Sequence, residues 1–184
     1  MERVVKEIIR VGRLLFEEGL VSARSGNISS RYRDSILITR TGSHMGNLTA
    51  QDIIQLPLKE SSVLDTRASV ELIVHRRVIN LTGKASVVHG HPTYTLLTAF
   101  REEAITPIDS EGREILGTVR VIQPSKPSAS EELAREVSSV LKGENVVVVR
   151  GHGVFSAHRN LLRAYSFLST LEHSCKILFL KGTG

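Results

Sequence analysis

Two β-branched runs, "ASVVHGH" at residues 85–91 and "NVVVVRGHG" at 145–153, each end in histidine flanked by glycine, and each stands between segments of helical spacing. A chain that alternates short apolar strands with amphipathic helices folds as an α/β or α+β domain around one sheet. Side chains on a strand repeat every two residues, so His89 and His91 point to one face and can converge on a point. Gly90 between them leaves room for close backbone approach. Such a pair is half of a metal site or of a catalytic dyad; alone, it is also what an exposed strand end looks like.

The remaining elements follow from periodicity and punctuation. Residues 2–20 carry Val4, Val5, Ile8, Ile9, Val11, Leu14, Leu15 and Phe16 on a broad helical face, closed by Gly19. "NISSRY" and "SILITRT" read as a hairpin joined by "RDS"; "TAQDI" reads as a turn capped by Thr49, and "IIQLPL" as a third strand. "TRASVELIVHRRVINLTG" has Val70, Ile73, Val74, Val78 and Ile79 at helical spacing before the stop at Gly83. After the His-Gly-His strand comes a helix with Pro92 at its first turn. "ITPIDSEGREILGTVRVIQPSKPS" reads as loop-rich. "SASEELAREVSSVLKG" reads as a helix opened by a capping box of Ser128 and Glu131 and closed by Gly143. A last helix begins near His158. There is no internal repeat.

With 184 residues the chain is long enough for one sizeable core, and a single domain over 1–184 is expected. Its apolar runs are too short or too polar for a bilayer, and the N-terminus has no signal-peptide core. One cysteine, Cys175, excludes an internal disulfide and suits the cytoplasm. A net charge of +5 and a pI near 9.7 raise the question of nucleic acid. The basic residues are scattered, however, and aromatics are only 4%, too few for a base-stacking platform. Modest positive charge suits an anionic small molecule equally well.

Of seven histidines, His89, His91 and His152 lie next to glycine at strand ends, where α/β folds display reactive groups. Three imidazoles bind Zn²⁺ and leave a fourth position open. Glu71, near a helix start with His75 one turn on, could be a ligand and acid/base, or could simply favour the helix dipole. "SGNIS" and "RTGS" offer backbone N–H groups beside hydroxyls and an amide, as phosphate-cradling loops do, and also as ordinary turns do. The candidates there are Asn27, Ser29, Thr41, Gly42 and Ser69.

In order, "SGNISSRY", "ILITRTGSHMGNLTAQDII", "ASVELIVH", "VVHGHP" and "VVVVRGHGVFS" resemble the class II aldolase/adducin family over about residues 5–180. The resemblance implies a three-layer α/β/α sandwich with a central, mostly antiparallel sheet. It implies a divalent ion, Zn²⁺ or a substitute, on His89, His91 and His152, with Glu71 as resting ligand and acid/base. Substrate phosphate is expected against Asn27, Thr41, Gly42 and Ser69. Homotetramers with sites at subunit contacts are expected too. Two departures stand out. Val70 replaces a serine that often precedes the glutamate, and the family's mid-chain and C-terminal tyrosines have no counterpart among Tyr32, Tyr94 and Tyr165. Asp109, from a neighbouring subunit, is the candidate to take over the second proton transfer, with Glu111 or water behind it.

The implied activity is metal-dependent aldol cleavage of a ketose phosphate, such as L-fuculose 1-phosphate, to dihydroxyacetone phosphate and a small aldehyde. The metal would act as Lewis acid toward the enediolate. Sugar-phosphate 4-epimerisation and methylthioribulose-phosphate dehydration are the alternatives within the family. The epimerases carry aspartate at the Glu71 position, and a non-enzymatic adducin-like scaffold would be expected to lose the ligands that this chain keeps.

Overall fold

An eight-stranded sheet forms the centre of the computed structural model, which describes residues 1–182. Its strands are β1 (Asn27–Tyr32), β2 (Ser35–Thr39), β3 (Ile53–Pro57), β4 (Ser86–Gly90), β5 (Ala104–Ile105), β6 (Val119–Ile122), β7 (Val146–Val149) and β8 (Gly153–His158). They lie in the order β3-β2-β1-β4-β8-β7-β6-β5, antiparallel throughout except for the parallel pair β6 and β7. The helices are α1 (Glu2–Glu17), α2 (Leu72–Thr82), α3 (Thr93–Ala99), α4 (Ser110–Leu116), α5 (Glu131–Val140) and α6 (Leu161–Lys181).

Strand alternation divides the core in two. Val146, Val148 and Val154 face a layer containing α1, α3 and α6, whereas Val147, Val149 and Phe155 face α2 and α5. β2 splits the same way, Leu37 to one side and Ile36 and Ile38 to the other. A strand buried on both faces has no use for polar alternation, which is why "VVVV" is unbroken. Each such side chain contributes about 1.5–3 kcal/mol when fully buried. The expected three-layer α/β/α sandwich with a mostly antiparallel sheet is therefore the architecture found.

Four local readings change or are extended. "NVVVVRGHG" is a buried strand running into its glycine-flanked histidine, as read, but a further strand follows at once. The chain reverses at Arg150–His152, with Gly151 left-handed at φ +71°, and returns as β8, which occupies the sheet's centre beside β4. The loop-rich stretch starts at the end of β5 and contains α4 and β6, three elements too short for their periodicity to show. α2 begins only at Leu72, after a 3-10 turn over Val63–Arg67, so Val70 lies outside it and is 64% exposed. Finally, the cap of α5 is Ser130, whose Oγ accepts from the Leu133 N–H at 3.0 Å. Ser128, read as the cap from its spacing to Glu131, turns elsewhere. No helix among the described residues is long and apolar enough to cross a membrane.

A candidate active site at three converging imidazoles

β4 ends at Gly90 with His89 inside it and His91 just beyond, and the turn before β8 supplies His152. One nitrogen from each of the three rings lies within 4.8 Å of the others. His89 Nε2 and His91 Nε2 are 2.9 Å apart. The Val154 carbonyl stands 3.0 Å from His89 Nδ1; a carbonyl only accepts, so the proton is on Nδ1 and the Nε2 lone pair faces the cluster. Phe155 stacks on the His89 ring, centroids 4.1 Å apart and planes 16° from parallel, and fixes its tilt. Gly153 makes the crowding possible. A Cβ there would sit 2.4 Å from the Gly90 carbonyl oxygen and 2.8 Å from His89 Cε1.

The cluster is electrostatically poised to ligate. Burial, and then the neighbouring rings, hold His89 well below the usual imidazole value; burial brings His91 down to about 4, and His152 is lowered by burial against the opposing pull of Glu71. All three are thus neutral at pH 7, the form that binds a metal. A set of three neutral imidazoles with convergent nitrogens fits a divalent ion of the zinc type, with one position left for another ligand.

Glu71 is the N-cap of α2 and is 2% exposed. Its Oε1 lies 3.7 Å from His152 Nε2. Ser128 Oγ–H donates to the same oxygen at 2.9 Å, and the Ala129 N–H forks to both carboxylate oxygens at 3.2 Å. Ala129 takes a left-handed backbone, φ +47°, to aim that N–H. The carboxylate therefore stands beside the histidine cluster, anchored from the segment that precedes α5. Its two anchors were missed in the sequence, where "SKPSAS" reads as helix punctuation and nothing local ties it to a glutamate 57 residues away.

Asn27 is the cross-strand partner of His89 in the β1–β4 ladder, which puts the polar loop candidates next to the histidines. A cavity of about 190 Å³ is lined by Asn27, Thr41, Gly42, Ser69, Glu71, His89, His91 and His152, with Arg24, Arg40 and Ser128 at its walls. Gly42 is left-handed at φ +74° with nothing within 4 Å of where a Cβ would stand, so its backbone is bare to the cavity. Ser69 Oγ accepts from the Glu71 N–H at 3.3 Å. Arg40 pairs with Asp52 at 2.9 Å, and Arg24 is exposed with no carboxylate partner among the described residues.

Not every candidate arrives. Ser29 is fully buried, and its Oγ lies 2.7 Å from His75 Nδ1, so it is spent on the interior and does not line the cavity. His75 is itself fully buried, with Nε2 2.6 Å from Asn27 Oδ1, and burial lowers it to about 3. Asp109 is the N-cap of α4, its Oδ1 accepting from the Gly112 N–H at 2.7 Å, and that bond holds its carboxyl below the ordinary value. It is not among the residues lining its own chain's cavity. None of the tyrosines lines it either: Tyr165 donates to Glu18, and Tyr94 packs edge-on against Phe179. A larger depression of about 870 Å³ shares Ser69 and Val70 with the cavity but holds none of the three histidines.

Residues 6–179 match the Class II Aldolase and Adducin N-terminal domain family. The chain belongs to the class II aldolase/adducin family. Among solved structures it is similar to an L-fuculose-1-phosphate aldolase from Thermus thermophilus, with 36% identity, a TM-score of 0.94, and coverage of 100% of this chain and 98% of that one. It is 26% identical to an L-fuculose phosphate aldolase of Methanococcus maripaludis, over 95% of both chains. It is also 26% identical to a probable bifunctional methylthioribose-1-phosphate isomerase/methylthioribulose-1-phosphate dehydratase of Nocardia farcinica; that match covers 95% of this chain but only 35% of the longer protein. Class II aldolases are metal-dependent, and the three imidazoles are where this member can hold its ion.

Proposed function

We infer that the chain is a zinc-dependent aldolase that reversibly cleaves L-fuculose 1-phosphate, or a similar short ketose phosphate, to dihydroxyacetone phosphate and a small aldehyde. The observation that carries this reading is one cavity bringing His89, His91, His152 and Glu71 together with Asn27, Thr41, Gly42 and Ser69.

A divalent ion on the three histidines would supply Lewis-acid stabilisation of the charge that develops on the ketose half. Glu71, beside them and shielded from bulk water, is the group to carry the proton at the carbon where the bond forms or breaks. Ser128 and Ala129 hold its carboxylate in place. Asn27, Thr41, Gly42 and Ser69 bind the phosphate and keep the ketose in register. Arg24 and Arg40 add positive charge at the mouth, and Arg24 can make good the hydroxyl lost at Val70.

Asp109 of a neighbouring subunit is proposed for the proton on the aldehyde half. Exposed Leu97 and Phe100 support shared sites in a homotetramer: the Phe100 ring lies about 3.7 Å from where a Cβ on Gly151 would stand, beside the turn that carries His152. A cytoplasmic setting is consistent with the free, buried Cys175.

The test is a panel of ketose phosphates, methylthioribulose 1-phosphate included, offered to zinc-loaded protein. Release of dihydroxyacetone phosphate supports the aldolase. Dehydration of methylthioribulose phosphate without that release would replace it with the dehydratase reading.

A further inference from the structure

We propose that His75 is a positioning residue: it turns the Asn27 carboxamide so that its N–H₂ end faces the anionic end of the substrate. The proposal rests on the sugar-phosphate reading above, and it concerns a buried residue one helical turn beyond Glu71.

A carboxamide has two nearly isosteric ends, one accepting and one donating. Beside a phosphate only the donating end is attractive, so Oδ1 of Asn27 must be occupied by a donor from within the protein. His75 Nε2 lies 2.6 Å from that oxygen. A neutral imidazole carries a single N–H, so if Nε2 holds it, Nδ1 must accept. Ser29 Oγ stands 2.7 Å from Nδ1 and has a hydrogen to give. The order Ser29 O–H to His75 Nδ1, then His75 Nε2–H to Asn27 Oδ1, satisfies every member and leaves Asn27 Nδ2 for the cavity. In the opposite order, Asn27 would donate inward and His75 Nδ1–H would point at Ser29. The Ser29 hydrogen would then lack this acceptor, and a carbonyl oxygen would face the anion.

Burial makes the order durable. Ser29 and His75 are each 0% exposed and Asn27 is 7% exposed, so water does not compete for these groups. Asn27 and Ser29 are two residues apart on β1 and so share a face. Phe155 closes the His75 ring from the side, centroids 6.2 Å apart at 73°. Because α2 carries both Glu71 at its cap and His75 one turn later, one rigid element sets the acid/base and the phosphate donor relative to each other.

Calorimetric binding of inorganic phosphate to the zinc-loaded protein tests this, with secondary structure and zinc content checked for each variant. Wild type is expected to bind, and Asn27→Ala and His75→Leu are each expected to weaken binding by about tenfold or more, the worth of a hydrogen bond to a charged group. His75→Gln, whose amide can still donate to Oδ1, should restore most of the affinity. Ser29→Ala, which frees the imidazole to change tautomer, should give a partial loss. In turnover, His75→Leu should raise KM for a ketose phosphate with little change in kcat, and should leave the unphosphorylated ketose unaffected. If wild type binds no phosphate, the sugar-phosphate reading falls; if wild type binds and Asn27→Ala binds equally well, the amide is not a phosphate donor and the proposal falls. If Asn27→Ala weakens binding and folded His75→Leu does not, the role of His75 is overturned. Should His75→Leu fail to fold, Ser29→Ala at wild-type affinity, or His75→Gln as weak as Asn27→Ala, overturns it instead.

Discussion

Asn27 and His89 stand opposite each other in the β1–β4 ladder, so the proposed phosphate end and the histidine cluster are joined by a single rung of the sheet. The positions of Asn27 and His89 relative to each other are therefore set by the backbone hydrogen bonds of a central sheet.

Glu71→Gln is expected to keep the fold and lose about 10²–10⁴-fold in turnover, the usual worth of a positioned acid/base. Retained proton exchange at dihydroxyacetone phosphate in that variant would assign the base elsewhere.

The two serines before α5 should separate cleanly. Ser130→Ala removes the helix cap and is expected to cost about 1 kcal/mol of stability while activity stays intact. Ser128→Ala removes a hydrogen bond to a buried carboxylate and is expected to lower kcat by about tenfold or more, alongside whatever stability that bond supplies. Equal effects of the two on stability and rate would undo the assignment.

Gly153→Ala places a methyl against the Gly90 carbonyl and the His89 ring. Overpacking of this kind costs about 1–3 kcal/mol, and here it pushes on a ligand. Lower zinc stoichiometry by elemental analysis is expected together with a lower melting temperature; full occupancy would show that the rings can move aside.

Stability of the zinc-free chain should fall as pH drops below about 6.5. The sign follows from His75 and His91, whose folded values are lowered by burial to about 3 and about 4. Both therefore take up protons near pH 6.5 only when the chain unfolds, so acid favours the unfolded state. The loss reaches up to about 3 kcal/mol per fully buried histidine by about pH 4. Urea midpoints measured across that window should decline, and less steeply in His75→Gln. A flat profile between about pH 6.5 and 4.5 would contradict the burial of these rings.

Asp109→Asn preserves the α4 cap, because asparagine caps as well as aspartate does. Slower aldol cleavage with unimpaired proton exchange on the ketose half is the expected result. Cleavage at the wild-type rate would remove Asp109 and leave Glu111 or water.

By itself the sequence determined the elements whose signal is local and the residues whose chemistry is intrinsic. The spacing in α1 and α2, the unbroken valines of β7 and the glycine-flanked His89, His91 and His152 are all legible without coordinates, because each signal repeats within a few residues. β8 was not, since a turn at Gly151 splits what reads as one run, and Ser128 was misread because Ser-x-x-Glu is also the pattern of a cap. Only the tertiary structure decided that Ser128 holds Glu71 across 57 residues, and that Ser29 and Asn27 enclose His75 across 46 and 48. These bonds depend on which helix lies over which strand. That is settled by burying two apolar faces of one sheet, and no local pattern records it.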